Sequence, residues 1–131
     1  MPETVRVRKW ERWVEVALTF SAGNAASMDA AATATGVIDQ DVAGAEHMDI
    51  CASWTYGGAP AAAPVVTVAR STDGGTTFET PVGYSFTDTA AAGVSRRIIW
   101  RIWGSDVCQV VLTNNTGQAI TDVSIKWRAV R

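Results

Sequence analysis

The feature of this sequence that most constrains its fold is a repeated alternation of apolar and polar residues, with no sustained helical periodicity. In residues 13–20, for example, every second residue from position 14 onward is apolar. Such residues fall on one face of an extended chain, because successive side chains of a β-strand point to opposite faces. The same period recurs and predicts further strands at residues 33–38, 48–56, 65–70, 78–86, 94–103, 107–113 and 119–130.

Turn signals separate these segments at intervals of about 8 to 15 residues, a spacing typical of antiparallel β proteins. Residues 57–64 are rich in Gly and Pro and break the chain, since proline lacks a backbone donor and glycine weakens a strand. Residues 114–117, Asn-Asn-Thr-Gly, predict a tight hairpin between the last two strands, because Asn and Gly tolerate positive φ. Pro81 and Gly83 indicate that residues 78–86 form an edge strand or contain a bulge.

The predicted fold class is all-β: an antiparallel, jelly-roll-like β-sandwich of about eight strands. A small closed barrel is the alternative, because both folds need the same alternation. The chain has 131 residues, which suits one domain. We expect residues 13–131 to form the sandwich and residues 1–12 to form a basic N-terminal arm or a first strand. Strands close to both ends describe a compact building block better than an enzyme, so no enzymatic activity is predicted.

The charge of the chain is small in total but unevenly distributed. The net charge is −2, which excludes a simple polyelectrolyte role. Arg6, Arg8, Lys9 and Arg12 precede the next basic residue, Arg70, and acidic residues are concentrated between them. Within one globule this pattern places an acidic loop face opposite basic strands, which is the simpler interpretation. In an assembly it lets the acidic face of one copy meet the basic face of the next.

Signals for targeting and for cysteine chemistry are few. The N-terminus lacks an apolar segment with a cleavage site, and no segment is long and apolar enough to span a membrane, so neither secretion nor membrane insertion is predicted. Asn114-Asn115-Thr116 matches an N-glycosylation sequon, but without export it is better explained as turn chemistry. Cys51 and Cys108 lie in apolar segments and are predicted to be buried thiols, with a disulfide between them left open.

Residues 71–78, Ser-Thr-Asp-Gly-Gly-Thr-Thr-Phe, follow a predicted strand and predict a hairpin turn. They resemble the Asp-box of sialidases and other β-propellers, in which the Asp caps backbone amides, the glycines supply positive φ and the aromatic residue anchors the turn. A propeller repeats the box in at least four blades, whereas this chain contains it once. The resemblance therefore implies a hairpin and no glycan cleavage.

Acidic residues cluster at Asp39 and Asp41 and again at Glu46 and Asp49, beside the single histidine, His47. Ca²⁺ prefers such oxygen ligands, but the spacing does not match an EF-hand loop, and no metal or other cofactor is predicted. His47 is expected to be a surface or hydrogen-bonded residue rather than a base. The chain has no Gly-x-Ser-x-Gly nucleophile motif, so no catalytic residue is assigned.

Six tryptophans are present, and all lie on or beside predicted strands. Trp54, Trp100 and Trp127 have aliphatic neighbours and are predicted to lie in the core. The other three have basic neighbours, a combination common at protein interfaces. The residues predicted to form an interface are Arg6, Arg8, Lys9, Trp10, Arg12, Trp13, Arg101 and Trp103.

Nucleic acid is a disfavoured partner. Basic residues alternate with aromatic ones on neighbouring predicted strands, an arrangement that would follow a phosphate backbone. The chain is acidic overall, however, and lacks an RNP-type motif. The basic residues concerned are Arg96, Arg97, Arg101, Lys126 and Arg128.

As a whole, this all-β, low-charge chain with aromatic and basic strand edges resembles the small β-sandwich structural proteins of tailed bacteriophage virions, such as decoration, head-completion and tail-associated subunits. The resemblance implies a virion protein, made in the host cytoplasm, that binds copies of itself and other virion proteins through sheet edges and loops. The alternative is a carbohydrate-binding module whose surface tryptophans stack on sugar rings. The two functions predict different orientations of the tryptophans. A carbohydrate-binding module needs them to point towards solvent, whereas a self-assembling subunit needs them in an oligomer interface.

Overall fold

The structure is a computed structural model that describes residues 12–39, 47–84, 88, 90–103 and 107–130, without the side chain of Trp103. Within these ranges the chain forms eleven β-strands and no helix. This part of the chain contains no helix that could cross a membrane. The strands are β1 (Val14–Glu15), β2 (Thr19–Phe20), β3 (Gly23–Asn24), β4 (Ser27–Met28), β5 (Thr33–Asp39), β6 (His47–Tyr56), β7 (Val65–Ser71), β8 (Val82–Tyr84), β9 (Ser95–Trp103), β10 (Val107–Thr113) and β11 (Ile120–Val130).

The strands form two antiparallel sheets that enclose one core, which confirms the predicted β-sandwich. The six-stranded sheet has the order β3-β4-β11-β6-β9, with β1 also paired to β11. The five-stranded sheet has the order β2-β5-β10-β7-β8. The described residues contain more strands than the predicted eight because residues 14–28 include four strands of two residues each.

The first predicted strand, residues 13–20, is divided because the chain crosses from one sheet to the other. β1 pairs with β11, and β2 pairs with β5 of the opposite sheet. Val16 is buried at the crossing and lies directly over Gly36, where a Cβ atom would come 2.3 Å from Val16 Cγ1. Gly36 therefore leaves the space that the crossing needs. Residues 21–32, between the predicted strands 13–20 and 33–38, contain the short β3–β4 hairpin.

The predicted hairpin at residues 114–117 is wrong, because the strands on either side of it belong to different sheets. The segment is instead a corner between the sheets, built around Asn114, which is fully buried. The Asn114 side-chain amide donates to the carbonyls of Asp29 (3.1 Å) and Gln118 (2.8 Å), and its Oδ1 accepts from the Thr116 hydroxyl at 2.6 Å. The amide nitrogen of the sequon is thus used within the fold, as the turn interpretation expects.

Residues 71–78 form the turn between β7 and β8 that the Asp-box resemblance predicts. The Asp73 carboxylate accepts hydrogen bonds from two backbone amides, at 3.1 and 2.9 Å, and both glycines of the segment have positive φ. β8 covers three of the described residues of the predicted segment 78–86 and lies at the edge of the five-stranded sheet, as Pro81 predicts.

The core lies between the two sheets. Trp54 is 1% exposed, which confirms its predicted position, whereas Trp100 and Trp127 are half-buried and pack against the core from its border. Trp100 of β9 stacks on Tyr84 of β8 with ring centres 5.3 Å apart, and this contact joins the two sheets along one side. The other large buried side chains include Tyr56, Met28, Ile38, Met48, Ile50 and Leu112.

Both cysteines are buried thiols, as predicted, and no disulfide joins them. Cys51 lies in β6 and Cys108 in β10, so they belong to different sheets. His47 is 1% exposed at the start of β6, which contradicts the surface position that was one of its two predicted environments.

Candidate ligand-binding face

One face of the sandwich combines an aromatic ring, charges and hydroxyls on a regular array of strands. In β6 the even-numbered residues point into the core, so the odd-numbered residues point outwards. Neighbouring strands continue this surface, because cross-strand partners share a face. We call it the outer face; its side chains are those of Trp13, Glu15, Asp49, Cys51, Ser53, Thr55, Ser95, Arg97, Ile99, Arg101, Thr121, Ser124, Lys126 and Arg128.

A charged network holds the aromatic ring at one end of the outer face. Asp49 accepts hydrogen bonds from Arg101 Nε at 2.8 Å and from Arg128 Nε at 3.1 Å, so one carboxylate joins arginines of the two strands that flank β6. The guanidinium carbon of Arg128 lies 4.4 Å from the centre of the Trp13 ring, a cation–π distance. The Asp49 side chain is buried and Trp13 is half-buried. An ion-pair network centred on a buried carboxylate therefore holds a ring at the surface.

The same contacts set the protonation state of Asp49. Burial raises the pKa of this carboxyl, but hydrogen bonds from Arg101 and Arg128, with their positive charges, together outweigh burial and lower the pKa below its ordinary value. Asp49 is therefore an anion at neutral pH. Since two cations share this one anion, the network has a net charge of +1.

A shallow depression of about 340 Å³ lies beside this network, over the middle of β6. Ile99, on its border, is 52% exposed and offers an apolar surface. Burial raises the pKa of the Cys51 thiol, although the positive charges of Arg97, Lys126 and Arg128 oppose this, so the thiol is neutral at pH 7. The depression is lined by Trp13, Cys51, Ser53, Arg97, Ile99 and Lys126.

A second depression, of about 370 Å³, adjoins the first and shares Ser53 and Arg97 with it. Asp122 forms part of its wall and has a left-handed backbone, with φ of 55°, at an irregularity in β11. Such a φ is uncommon for residues other than glycine, and bulges redirect side chains next to binding sites. The hydroxyls of Thr55 and Ser95 are hydrogen-bonded at 2.7 Å nearby. The two depressions form one surface roughly 20 Å long, given the rise of a β-strand.

The outer face brings together two of the residues predicted to form an interface. Trp13 and Arg101 are joined through Asp49 and Arg128, and Arg12 is an exposed neighbour of Trp13. Trp103 ends β9, but its side chain is not described. The other predicted interface residues, Arg6, Arg8, Lys9 and Trp10, lie outside the described residues.

The acidic stretch around His47 yields no metal site in the described part of the chain, where no three metal-binding side chains lie together. Residues 40–46, which include Asp41 and Glu46, lie outside that part. Asp49 is engaged by two arginines, and Asp39 is exposed at the end of β5. Asp49 thus organises the outer face, a role that the sequence interpretation missed.

Sequence reasoning also missed Ser53 and Asp122 as parts of a site. The alternation of β6 contained a usable signal, because its outward positions 49, 51, 53 and 55 are Asp, Cys, Ser and Thr. This pattern marks a polar face opposite a core face. The conformation of Asp122 had no comparable signal, since it depends on the register shift between β11 and β6.

No protein-family model and no curated protein matches this chain. Among solved structures, the chain is similar to a family 16 carbohydrate-binding module, with 13% identity, 80% of this chain and 72% of that chain covered, and a TM-score of 0.37. It is similar to a structure described as CBM4, with 9% identity, 95% and 78% coverage, and a TM-score of 0.40. It is also similar to the enzymatically active domain of tailspike protein 4 of bacteriophage CBA120, with 10% identity, 90% and 19% coverage, and a TM-score of 0.46. At these scores the likenesses assign neither a family nor a function.

Proposed function

We propose that this protein is a carbohydrate-binding module that holds a glycan along the outer face. The observation that carries the proposal is the Trp13 ring, which Arg128 and Asp49 fix beside an open polar depression. A flat aromatic ring is a suitable partner for the apolar C–H face of a sugar. Because the ring is already held in place, little side-chain entropy is lost when a sugar stacks on it.

Hydroxyl groups around the Trp13 ring supply hydrogen bonds that orient the sugar. Ser53, Thr55, Ser95 and Ser124 are half-buried or exposed on the outer face, and a hydroxyl both donates and accepts hydrogen bonds, as sugar hydroxyls do. The surface is roughly 20 Å long and is open rather than closed into a pocket. It therefore suits an extended glycan with several sugar rings.

Trp13 and its supporting residues have different roles in this proposal. Arg128 occupies one face of the Trp13 ring, and we place the sugar on the opposite face. The Asp49 side chain is buried, so it acts on the ligand only through Arg128. Asp49 and Arg128 are thus positioning residues, whereas Trp13 touches the sugar.

Isothermal titration calorimetry against a panel of soluble oligosaccharides and polysaccharides tests the proposal. We expect at least one glycan to bind, and Trp13→Ala to weaken that binding by about tenfold or more, because the stacking surface is lost. Trp13→Phe should retain most of the affinity. Phe78→Ala, which removes an aromatic ring from the β7–β8 turn, is the control and should bind as the wild type does. Failure of every glycan to bind, or unchanged binding by Trp13→Ala, contradicts the proposal.

A second candidate function is the one that the sequence predicts, a virion subunit that binds copies of itself. The outer surface of the five-stranded sheet favours this candidate. Every outward position of β5, β10 and β7 is described, and Asp39 is the only charged residue among them. Val37, in the middle of β5, is 53% exposed. Such a surface packs on a second copy without desolvating ions. Light scattering across concentration tests this candidate: Val37→Lys should dissociate an oligomer, and a wild-type monomer at every concentration contradicts it.

A further inference from the structure

We infer that the glycan bound by the outer face is anionic and carries carboxylate or sulfate groups that contact Arg97 and Lys126. The inference rests on the proposed glycan-binding function and narrows it to one class of ligand. Its basis is the distribution of charge on the outer face, which differs from that of the chain as a whole.

The outer face is positively charged on a chain whose net charge is −2. Its four basic and two acidic side chains leave a balance of +2, and Asp122, in the wall of the second depression, reduces this only to +1. The excess of positive charge is therefore a property of this surface and not of the composition. The side chains counted are Arg97, Arg101, Lys126 and Arg128 against Glu15 and Asp49.

Two cations of the outer face have no ionic partner among the residues that the structure describes. Arg97 and Lys126 are exposed and form no ion pair with any residue that the structure describes. Glu15 is the cross-strand partner of Lys126, but it accepts a hydrogen bond from Ser124 at 3.3 Å instead. Arg97 and Lys126 thus remain available for an anionic ligand.

Arg97 and Lys126 line the same depression from opposite sides. Arg97 is the cross-strand partner of Ser53, and Lys126 is the partner of Cys51, so the two cations flank β6. Neighbouring strands lie about 4.8 Å apart, which separates the two backbones by roughly 10 Å. Their charges both lower the pKa of the Cys51 thiol against the effect of burial. Two positive charges therefore act on one small volume beside Trp13.

The same features favour an acidic glycan over a nucleic acid. Proteins that bind single-stranded nucleic acids stack successive bases on several aromatic side chains along a basic groove. On the outer face, Trp13 is the one aromatic side chain that the structure describes. Hydroxyl side chains, including those of Ser53 and Ser124, lie among the cations of this face. Isolated anionic groups on a hydroxyl-rich ligand fit this arrangement better.

Matched pairs of oligosaccharides test the inference. A uronate oligosaccharide is compared with its carboxyl-reduced form, and a sulfated oligosaccharide with its desulfated form, by calorimetry at low and high salt. We expect the acidic member of at least one pair to bind about tenfold more tightly, with the preference reduced by salt. The pair that shows the preference identifies carboxylate or sulfate as the recognised group.

Charge-removing variants locate the effect. Arg97→Gln and Lys126→Gln should each remove most of the preference for the acidic member. Arg70→Gln, which removes an exposed cation of β7 in the other sheet, is the matched control and should keep the preference. Circular dichroism confirms that each variant is folded.

Each contrary result has its own meaning. Equal affinity within both pairs, with binding still lost in Trp13→Ala, overturns the inference and leaves the proposed function in place. Absence of binding by either pair and by the wider glycan panel contradicts both. If an oligothymidylate binds as tightly as the best acidic oligosaccharide, and Trp13→Ala does not weaken that binding, the cations serve nucleic acid and the inference is overturned. If Arg70→Gln reduces the preference for the acidic member as much as Arg97→Gln and Lys126→Gln do, the preference reflects the overall charge of the protein, and this too overturns the inference.

Discussion

The guanidinium of Arg128 lies 4.4 Å from the centre of the Trp13 ring. The same guanidinium donates through Nε to Asp49 at 3.1 Å, and Asp49 also accepts from Arg101. A surface ring is thereby connected to a buried carboxylate on β6, an interior strand of the six-stranded sheet. The stability of this sheet and the geometry of the proposed binding surface consequently depend on one acidic residue.

Replacement of Asp49 by Asn should lower the free energy of unfolding by about 2 kcal/mol, because two arginines lose their charged partner and an amide replaces only part of the hydrogen bonding. Urea unfolding measures the change. Asp39→Asn removes an exposed carboxylate at the end of β5 and should alter stability by less than about 0.5 kcal/mol. Equal, small effects of both variants would show that the Asp49 network does not stabilise the sheet.

Replacement of Asn114 by Ala should lower the free energy of unfolding by about 2 to 4 kcal/mol. The buried side chain donates to the carbonyls of Asp29 and Gln118 and accepts from Thr116, and its loss leaves buried polar groups without partners. Thermal and urea unfolding measure the effect. The neighbouring Asn115 is exposed, so Asn115→Ala is the control; a comparable loss in that variant would contradict the role of Asn114 as the centre of the corner.

Acid should destabilise the protein partly through Asp88. Hydrogen bonds from Arg96 are the main cause that lowers the pKa of Asp88 from 3.8 to about 2, and the Tyr56 hydroxyl contributes at 2.6 Å. A carboxyl whose pKa is lowered by folding contributes stability above its unfolded pKa and loses it as pH falls through the folded value. We therefore expect wild type to exceed Asp88→Asn in stability at pH 7, with the difference shrinking between about pH 4 and pH 2. A difference that does not vary with pH in urea unfolding would contradict this assignment.

Replacement of Asp73 by Ala should loosen the β7–β8 turn without unfolding the sandwich. The carboxylate accepts from the backbone amides of Thr76 and Thr77, and Asp73 itself is exposed. Hydrogen exchange followed by mass spectrometry should show faster exchange in residues 71–78 and wild-type exchange in β6. Thr72→Ala, at an exposed position of the same turn, is the control. Unchanged exchange in the Asp73 variant would show that backbone geometry alone maintains the turn.

Alternation was sufficient to predict the long strands, because a half-buried strand must separate core and solvent sides with a period of two. β6 is an example, with Ile50 and Trp54 buried as the pattern requires. The course of the chain at Asn114 could not be predicted in this way, because β10 and β11 belong to different sheets. Asn and Gly indicate a turn, but they do not indicate whether the two strands it connects pair with each other or belong to different sheets.

The polar side of β6 could also be predicted from the sequence, but its partners could not. Asp49 is 52 residues from Arg101 and 79 residues from Arg128 in sequence. Their contact depends on the register of β6 with β9 and β11, which local patterns do not specify. For the same reason the sequence alone does not show that Asp49 neutralises part of the charge of these basic residues.

An NMR titration of the ¹⁵N-labelled protein with the glycan that binds most tightly in the calorimetric panel tests most directly whether the ligand lies on the outer face. We expect shifts of the Trp13 indole N–H and of the amides of Ser53, Arg97 and Lys126, with little change at Val37 and Gln109 of the opposite sheet. Shifts confined to the five-stranded sheet, or a Trp13 signal that does not move at saturation, would contradict the placement of the ligand on the outer face.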